Sequence, residues 1–320
     1  MNMKGKKEIA ILFFVIAVLA FYISSRKSEK THYELPGIQK IRTGDITKIS
    51  LKKKGSEIEL AKENDKWLIN DRKYPADNAV IDSMLNAISG LTLTALASES
   101  GNYAIYDLDK EKRIEVEAYK GSDLLRKINV GKITPTYKQT FVMLDNDHRV
   151  YHAKGALRRE FDRTVSELRD KKVMAFSDDI TEVALKQGKD EITIVRATAP
   201  VSVDVTEKKG KQEKPGESAP KWTTSEGKAV KEDEVNDIID TLSGFLCDEF
   251  IEDKTKEDFK SPVFTVVLKG VNTYTISFFE KIENRYPAIS SESEYPFFVS
   301  EWKANKVMKK PGSLIEKYEK

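Results

Sequence analysis

An ordered pattern of residues occurs twice in this chain of 320 residues. Residues 45–51, DITKISL, recur as residues 179–185, DITEVAL, and an alternating strand pattern follows each of them. Each copy then reaches a Lys-Trp pair, which contains Trp67 in the first copy and Trp222 in the second. We expect both tryptophans to be buried, since they hold the same place in the pattern. A series that repeats in the same order indicates two copies of one structural unit.

An amphipathic helix is predicted after the tryptophan in each copy. Apolar residues follow helical spacing through residues 80–91 and 235–245, and Gly90 and Gly244 suit the C-terminal caps of the two helices. Runs typical of β-strands follow both helices. Each copy is therefore expected to combine antiparallel strands with an amphipathic helix.

One short stretch is far more apolar than the rest of the chain. Residues 9–23 are fifteen consecutive apolar or aromatic residues with basic residues on both sides. As a helix, this run and the two serines after it would span roughly 25 Å, which is the short end of what a bilayer core needs. We interpret residues 9–25 as a transmembrane anchor, with a cleaved signal peptide as the alternative. A signal anchor of this kind would place residues 30–320 outside the cytoplasmic membrane.

These observations predict the fold class and the division of the chain. The fold class is α+β, with one N-terminal transmembrane helix followed by two tandem repeated α+β modules of antiparallel strands plus amphipathic helices. The predicted segments are a short basic tail, the anchor, a polar stalk and the two modules, at residues 1–8, 9–25, 26–44, 45–176 and 177–320. The second module carries a flexible insertion at residues 197–220, whose Lys, Glu, Gly and Pro content cannot form a core.

Composition excludes several classes of protein. The chain has 54 Lys and Arg residues against 52 Asp and Glu residues, a net charge of +2, so it lacks the basic excess of a nucleic-acid binder. Cys247 is the only cysteine, which excludes an intramolecular disulfide and a cysteine-based metal cage, and it is expected to be a buried structural thiol. The sequence contains no Gly-x-Ser-x-Gly elbow and no phosphate-binding Gly-rich loop. We predict a protein that is not an enzyme, has no cofactor and binds no nucleic acid.

The best candidate for a metal site lies around Asp145, Asp147, His148 and His152. Carboxylates and imidazoles are common metal ligands, and the two histidines would share one face of a strand. However, Asp-Asn-Asp between two strand patterns is turn composition, and no Gly stands at the sixth position that a calcium loop requires. We therefore predict the tip of a β-hairpin and no metal site.

Aromatic residues are concentrated near the end of the second copy, in a region that is expected to be irregular. Exposed aromatic side chains are the type that most often anchors a protein partner. The candidate partner-contact residues are Tyr286, Tyr295, Phe297, Phe298 and Trp302.

Several motifs of the first copy occur together in one known family. They are Lys66-Trp67, Tyr74-Pro75-Ala76-Asp77, Tyr106-Asp107-Leu108-Asp109, Val130-Gly131-Lys132 and the run from Leu168 through Val173 to Phe176. In these motifs the chain resembles the bacterial envelope proteins described by domain of unknown function 4340, while its second copy matches them weakly. The resemblance implies an N-terminal anchor and a repeated extracytoplasmic domain that accompanies ABC-type export permeases. It implies no catalytic activity.

The leading hypothesis is a membrane-anchored, non-enzymatic accessory or scaffold protein of a bacterial cell-envelope complex that is associated with an ABC-type transport system. It would contact the lipid bilayer through residues 9–23 and an ABC-type permease through its modules. Its expected location is the bacterial cytoplasmic membrane, with the main domains extracytoplasmic. The alternative is an extracytoplasmic module that binds a glycan or peptide in the cleft between the two copies. A third hypothesis is an envelope hydrolase that uses His148 and His152.

Overall fold

The computed structural model describes residues 14–19, 21–22, 33–196 and 222–316. It divides into two compact units, Met1–Leu168 and Arg169–Lys320, so the division lies before the predicted boundary between residues 176 and 177. The division is earlier because Val173 and Met174 belong to the hydrophobic core of the second unit. The predicted tail at 1–8 and insertion at 197–220 lie outside the described residues, as does the first part of the stalk.

Within the described residues, the first unit forms a nine-stranded antiparallel sheet. Its strands are β1 (Lys48–Lys53), β2 (Ser56–Glu63), β3 (Lys66–Ile69), β4 (Tyr74–Pro75), β5 (Leu93–Ser98), β6 (Ile114–Lys120), β7 (Asp123–Ile133), β8 (Gln139–Leu144) and β9 (Val150–Lys154). They are arranged in the order β4-β3-β2-β1-β6-β7-β8-β9-β5. The helices are α1 (Asn78–Ser89), α2 (Leu157–Phe161) and α3 (Val165–Leu168), and a 3-10 helix spans Tyr103–Tyr106.

The helix α1 begins where the sequence predicts, after Asp77. The Asp77 carboxylate accepts hydrogen bonds from the N–H groups of Ala79 at 2.8 Å and Val80 at 3.3 Å. This side chain therefore caps two of the backbone donors that the first turn leaves unsatisfied. The apolar stripe of α1 is buried, with Met84 and Ile88 both at 0 % exposure, and burial of this stripe stabilises the helix in the unit.

The second unit forms an eight-stranded antiparallel sheet and a separate two-stranded one in the part of the chain that is described. Its strands are β10 (Lys172–Ala175), β11 (Glu182–Gln187), β12 (Asp190–Arg196), β13 (Trp222–Thr224), β14 (Gly244–Leu246), β15 (Glu249–Phe250), β16 (Phe264–Lys269), β17 (Thr273–Phe278), β18 (Arg285–Ser290) and β19 (Phe297–Ser300). The larger sheet has the order β13-β12-β11-β16-β17-β18-β19-β15, and β10 pairs with β14. The helices are α4 (Glu232–Leu242) and α5 (Glu301–Val307), and a 3-10 helix spans Lys256–Asp258.

The two large sheets share one strand order and one register once β1 is matched with β11. Leu51 pairs with Val116 in the first sheet, as Leu185 pairs with Val266 in the second. The same matching continues through the next three strands of each sheet, which end at β9 and β19. Fully buried residues occupy the matched positions, which are Val130, Val142 and Tyr151 in the first sheet and Phe278, Ala288 and Phe297 in the second. Because side chains alternate along a strand, the residues after these point to the opposite face, which we call the outer face.

The predicted α+β fold class is wrong, because the described residues form mostly antiparallel sheet. The two predicted helical stripes do form α1 and α4, but the other helices have seven residues or fewer. The region around Tyr286 that was expected to be irregular forms β18 and β19 instead. Pro287 hides this strand in the sequence, since proline removes a ladder donor. Its carbonyl oxygen nevertheless accepts a hydrogen bond from the Phe279 N–H at 2.9 Å, which keeps β18 in the sheet.

The predicted transmembrane helix is also corrected. In the described part of the chain, no helix combines the length and the apolar character that crossing a membrane requires. Of the predicted anchor, residues 14–19 and 21–22 are described and are helical, whereas 9–13, 20 and 23–25 lie outside the described residues.

Candidate functional site

A groove of about 380 Å³ lies on the outer face of the second sheet, beside its last strand, β15. Phe298 and Pro287 form its floor, because they follow the fully buried Phe297 and precede the fully buried Ala288 on their strands. Phe250, the last residue of β15, and Phe259, in the segment that follows β15, contribute to the other wall. The groove therefore presents aromatic rings on a face of the sheet that points away from the core.

An ion pair lies beside Phe298 in the groove. Arg285 donates a hydrogen bond from Nη1 to Glu249 Oε2 at 2.7 Å, between strands β18 and β15. The guanidinium carbon of Arg285 also lies 4.3 Å from the ring centroid of Phe298, within the range of a cation–π contact. Charged groups and an aromatic ring thus lie side by side at the mouth of the groove.

A buried arginine supports the wall formed by Phe250. The Arg169 guanidinium carbon lies 3.7 Å from the Phe250 ring centroid and 4.9 Å from that of Tyr295, and Arg169 is 3 % exposed. Its guanidinium forms an ion pair with Glu252. A buried charge is costly unless it is paired, so the ion pair and the two rings together hold Arg169 in place. Phe250 and Tyr295 are therefore positioned by Arg169.

The structure separates the five aromatic residues that the sequence singled out as partner contacts. Phe298 lines the groove, whereas Phe297 is fully buried and has no surface for a partner. Tyr286 packs against the core, and Tyr295 packs on Arg169. Trp302 is 67 % exposed on α5, with Lys306 Nζ 3.9 Å from its ring centroid.

Sequence reasoning missed the other groove residues, among them Arg285, Phe250 and Phe259. These residues come from three separate parts of the chain: strand pairing to β19 brings Arg285 and Phe250 together, and Phe259 lies in the segment after β15. The repeated pattern could have pointed to Phe259, since it matches this residue with Leu108 of the first copy.

At the matched place on the first sheet, three rings of the chain itself pack against one another in tilted contacts. Strand pairing matches Phe141 with Pro287 and His152 with Phe298. The ring centroids of Tyr106 and Phe141 lie 4.8 Å apart, and those of Phe141 and His152 lie 4.7 Å apart. Tyr106 thus covers the outer face of the first sheet at the place where the second sheet has a groove.

Gly131 allows the segment that carries Tyr106 to lie directly on the first sheet. A Cβ atom added to Gly131 would collide with the Tyr106 carbonyl oxygen and would lie 2.8 Å from Leu108 Cγ. The second sheet has Phe279 at the matched position, and its ring centroid lies 5.1 Å from that of Phe259. The second segment therefore packs against the Phe279 side chain at the position where Gly131 lets the first segment approach the backbone of its sheet.

The family model whose description is Domain of unknown function (DUF4340) matches residues 67–262. The chain belongs to this family. The DUF4340 match includes Tyr106 and Gly131 of the first unit, and Phe250 and Phe259 of the second, but it ends before Arg285 and Phe298. The comparisons with curated proteins and with solved structures gave no match.

The acidic stretch around Asp147 forms a hairpin tip in this DUF4340 protein, between β8 and β9. The Asp147 carboxylate accepts hydrogen bonds from Arg149 Nη2 at 2.9 Å and from the Tyr151 hydroxyl at 2.7 Å. The hydrogen bonds from Arg149 lower the pKa of Asp147. Across the described ranges, no group of three or more His, Cys, Asp or Glu side chains is placed to hold a metal ion.

The remaining nucleophile candidate is Cys247, which is 2 % exposed. Burial raises the pKa of its thiol to about 12. Because the thiolate is the reactive form of cysteine, this environment suppresses its reactivity. Cys247 packs with the core of the second unit.

Proposed function

We propose that this DUF4340 protein is a non-enzymatic accessory or scaffold protein of a bacterial cell-envelope complex, associated with an ABC-type transport system. It binds a protein partner through the groove around Phe298. The observation that carries this proposal is the difference between the two matched outer faces, one covered by its own Tyr106 and the other open at Phe298. An uncovered group of aromatic side chains with charged neighbours is typical of a surface that binds a partner.

The charged groups of the structure support a binding role rather than catalysis. Catalytic sites usually gather titratable groups with shifted pKa values in one cleft. The groove contains the Arg285–Glu249 ion pair, whereas the carboxylates with the most strongly shifted pKa values, Asp45, Glu117 and Asp147, lie in ion pairs of the first unit. The envelope location and the ABC-type permease rest on the features by which the sequence resembles its family.

The proposal is tested by affinity purification of the full chain from bacterial cells after chemical cross-linking. We expect an ABC-type permease subunit to be recovered with the wild-type chain and to be reduced about tenfold by Phe298→Ala, since anchor residues dominate binding energy. Tyr137→Ala is the matched control, because Tyr137 is an aromatic residue of the first unit that is 66 % exposed. Recovery of the chain alone in every preparation would contradict the proposal.

Binding of an envelope glycan is the second candidate function. One observation favours it: the Phe298 ring lies beside the carboxylate of Glu249 and the guanidinium of Arg285, so apolar and polar groups converge. Soluble peptidoglycan fragments would then raise the melting temperature of the wild-type chain and leave that of Phe298→Ala unchanged. An unchanged melting temperature for both chains would eliminate this candidate.

A further inference from the structure

We infer that the groove around Phe298 accepts one aromatic side chain of a partner polypeptide, a tyrosine above all, in the place that Tyr106 takes on the first unit. This assignment rests on the proposed function and names the chemistry that the same groove recognises. Four observations carry it: the matched floors, the blocked segment, the volume and the polar groups at the mouth.

The first unit shows which group fits this place on the sheet. Its floor residues, Phe141 and His152, are matched by Pro287 and Phe298 in the second unit. In the first unit, the Tyr106 ring centroid lies 4.8 Å from that of Phe141, in a tilted arrangement with an interplanar angle of 49°. Aromatic pairs favour such tilted or offset contacts. The same sheet geometry, with Pro287 in the place of Phe141 and Phe298 beside it, is suited to a ring that comes from another chain.

The second unit cannot fill its groove with its own segment. Matching Leu108 with Phe259 places the exposed Glu257 where the first unit has Tyr106. The segment is also attached to β18, because Lys256 Nζ donates a hydrogen bond to the Ser290 carbonyl oxygen at 2.7 Å. Thr255 and Asp258 form a capping box that sets the 3-10 helix between them. The one aromatic side chain of residues 251–262, Phe259, already packs against Phe279 and contributes to the wall of the groove.

The size of the groove agrees with one side chain rather than a large ligand. Its volume of about 380 Å³ is at the small end of the range for binding pockets, which begins at roughly 300 Å³. An aromatic side chain is the largest apolar group that a polypeptide can place in such a volume.

Polar groups at the mouth favour tyrosine over an aliphatic residue. The Glu249 carboxylate can accept a hydrogen bond from a phenol hydroxyl, and the Arg285 guanidinium can donate to a backbone carbonyl oxygen. Both groups already lie beside the Phe298 ring. A leucine side chain would cover this ion pair and leave its capacity for hydrogen bonds unused, whereas tyrosine would use it.

The test uses the full chain and a synthetic peptide with the sequence of its own residues 102–110, NYAIYDLDK, which contains Tyr106. NMR titration should give saturable shifts of the phenylalanine resonances of the groove. We expect affinity to fall about tenfold with the Tyr106→Ala peptide, and as much with the Phe298→Ala protein, a change of about 1.4 kcal/mol. Phe298→Leu, which keeps an apolar side chain on the sheet, should weaken binding without unfolding the unit.

Two control proteins locate the effect. Trp302→Ala and Tyr137→Ala remove exposed aromatic residues outside the groove and should bind the peptide as the wild-type chain does. Equal affinity for the Tyr106 and Tyr106→Ala peptides would overturn the inference, as would full binding by Phe298→Ala. If the peptides fail while cross-linking to the permease still depends on Phe298, the proposed function stands and the aromatic occupant is wrong. If both fail, both are wrong.

Discussion

The outer faces of the two sheets differ much more than their core faces do. Both core faces present fully buried apolar residues at matched positions, such as Val130 and Phe278. On the outer faces, Tyr106 covers the first sheet, while the matched place on the second is a groove over Phe298. Strand pairing and core packing therefore define the shared unit, and the segment that crosses the outer face decides whether a binding surface is left open.

The largest expected effect on stability comes from a substitution that blocks the close contact between the Tyr106 segment and the first sheet. Gly131→Ala places a Cβ against the Tyr106 carbonyl oxygen and 2.8 Å from Leu108 Cγ, where backbone cannot easily move. We expect a loss of about 3 kcal/mol in the free energy of unfolding of the first unit, since overpacking costs this much. Urea denaturation followed by tyrosine fluorescence would measure it.

Gly37→Ala provides the control, because a Cβ at Gly37 meets nothing within 4 Å. Its free energy of unfolding should stay within about 0.5 kcal/mol of the wild-type value. A Gly131→Ala chain as stable as the wild type would show that the Tyr106 segment does not need its close approach, and would remove the reason given for the difference between the two outer faces.

A second effect concerns the wall of the open groove. Arg169→Met removes the contacts of the guanidinium with the Phe250 and Tyr295 rings, and also its ion pair with Glu252. We expect the second unit to lose about 2 kcal/mol of stability, and peptide binding to weaken as Phe250 loses its support. Calorimetry and the peptide titration would measure the two losses.

Arg285→Met is the matched variant for this wall, since Arg285 is far more exposed than Arg169. Its ion pair with Glu249 is accessible to water, so its loss should cost less than about 1 kcal/mol of stability. Equal stability losses for the two variants would mean that the burial of Arg169 adds nothing to the stability of the groove wall.

Parts of this comparison could be read from the sequence and parts could not. The 3.6-residue spacing of apolar residues located α1 and α4, and the repeated Lys-Trp pair marked Trp67 and Trp222, which are 7 % and 3 % exposed. These features are local in sequence, so periodicity alone reveals them.

The groove depends on contacts between residues that are distant in sequence. Arg285 and Glu249 are 36 residues apart and meet only because β18 and β15 both pair with β19. Pro287 disguised β18, and Phe297 and Phe298 could not be told apart by residue type although they point to opposite faces. Register decides which of two neighbouring residues is buried, and register follows from strand pairing.

A third prediction uses ion pairs that are present on one outer face and missing at the matched positions of the other. Glu117 of β6 forms ion pairs with Lys127 at 2.7 Å and Lys52 at 3.4 Å, whereas the second sheet has the neutral Val267 and Thr275 where Glu117 and Lys127 lie. Burial alone would raise the pKa of Glu117, but the hydrogen bonds from Lys127 and Tyr119 outweigh it and lower the pKa to about 2.

The unfolded chain binds a proton at this site below pH 4.5, and the folded chain does so only near pH 2. The stability from Glu117 is therefore complete above pH 4.5 and is lost as the pH falls toward 2. Glu117→Gln should lower stability by about 1 kcal/mol at neutral pH, where water partly screens the lysines, and should flatten this acid dependence. Glu59→Gln, at an exposed site on β2, should keep the wild-type pH profile.

The smallest effect concerns the residue that takes the place of Phe298 on the covered sheet. His152 Nδ1 is buried without a hydrogen-bond partner in the described structure, and burial lowers the pKa of the imidazole. Below pH 6.5, the ordinary pKa of histidine, the unfolded chain takes up a proton that the folded chain resists. Stability from His152 is thus present above pH 6.5 and declines as the pH falls.

His152→Phe gives the first sheet the residue type that the second sheet has at the matched position, and it removes the imidazole that takes up the proton. The variant should match wild-type stability at pH 8 and exceed it slightly at pH 5.5, with the tilted ring contact to Phe141 kept. Thermal unfolding at the two pH values would measure the difference. Since Phe298 already occupies the matched position on the second sheet, a loss of stability at both pH values would mean that the floor of the first unit requires imidazole for its shape, and that the two floors are less alike than strand pairing indicates.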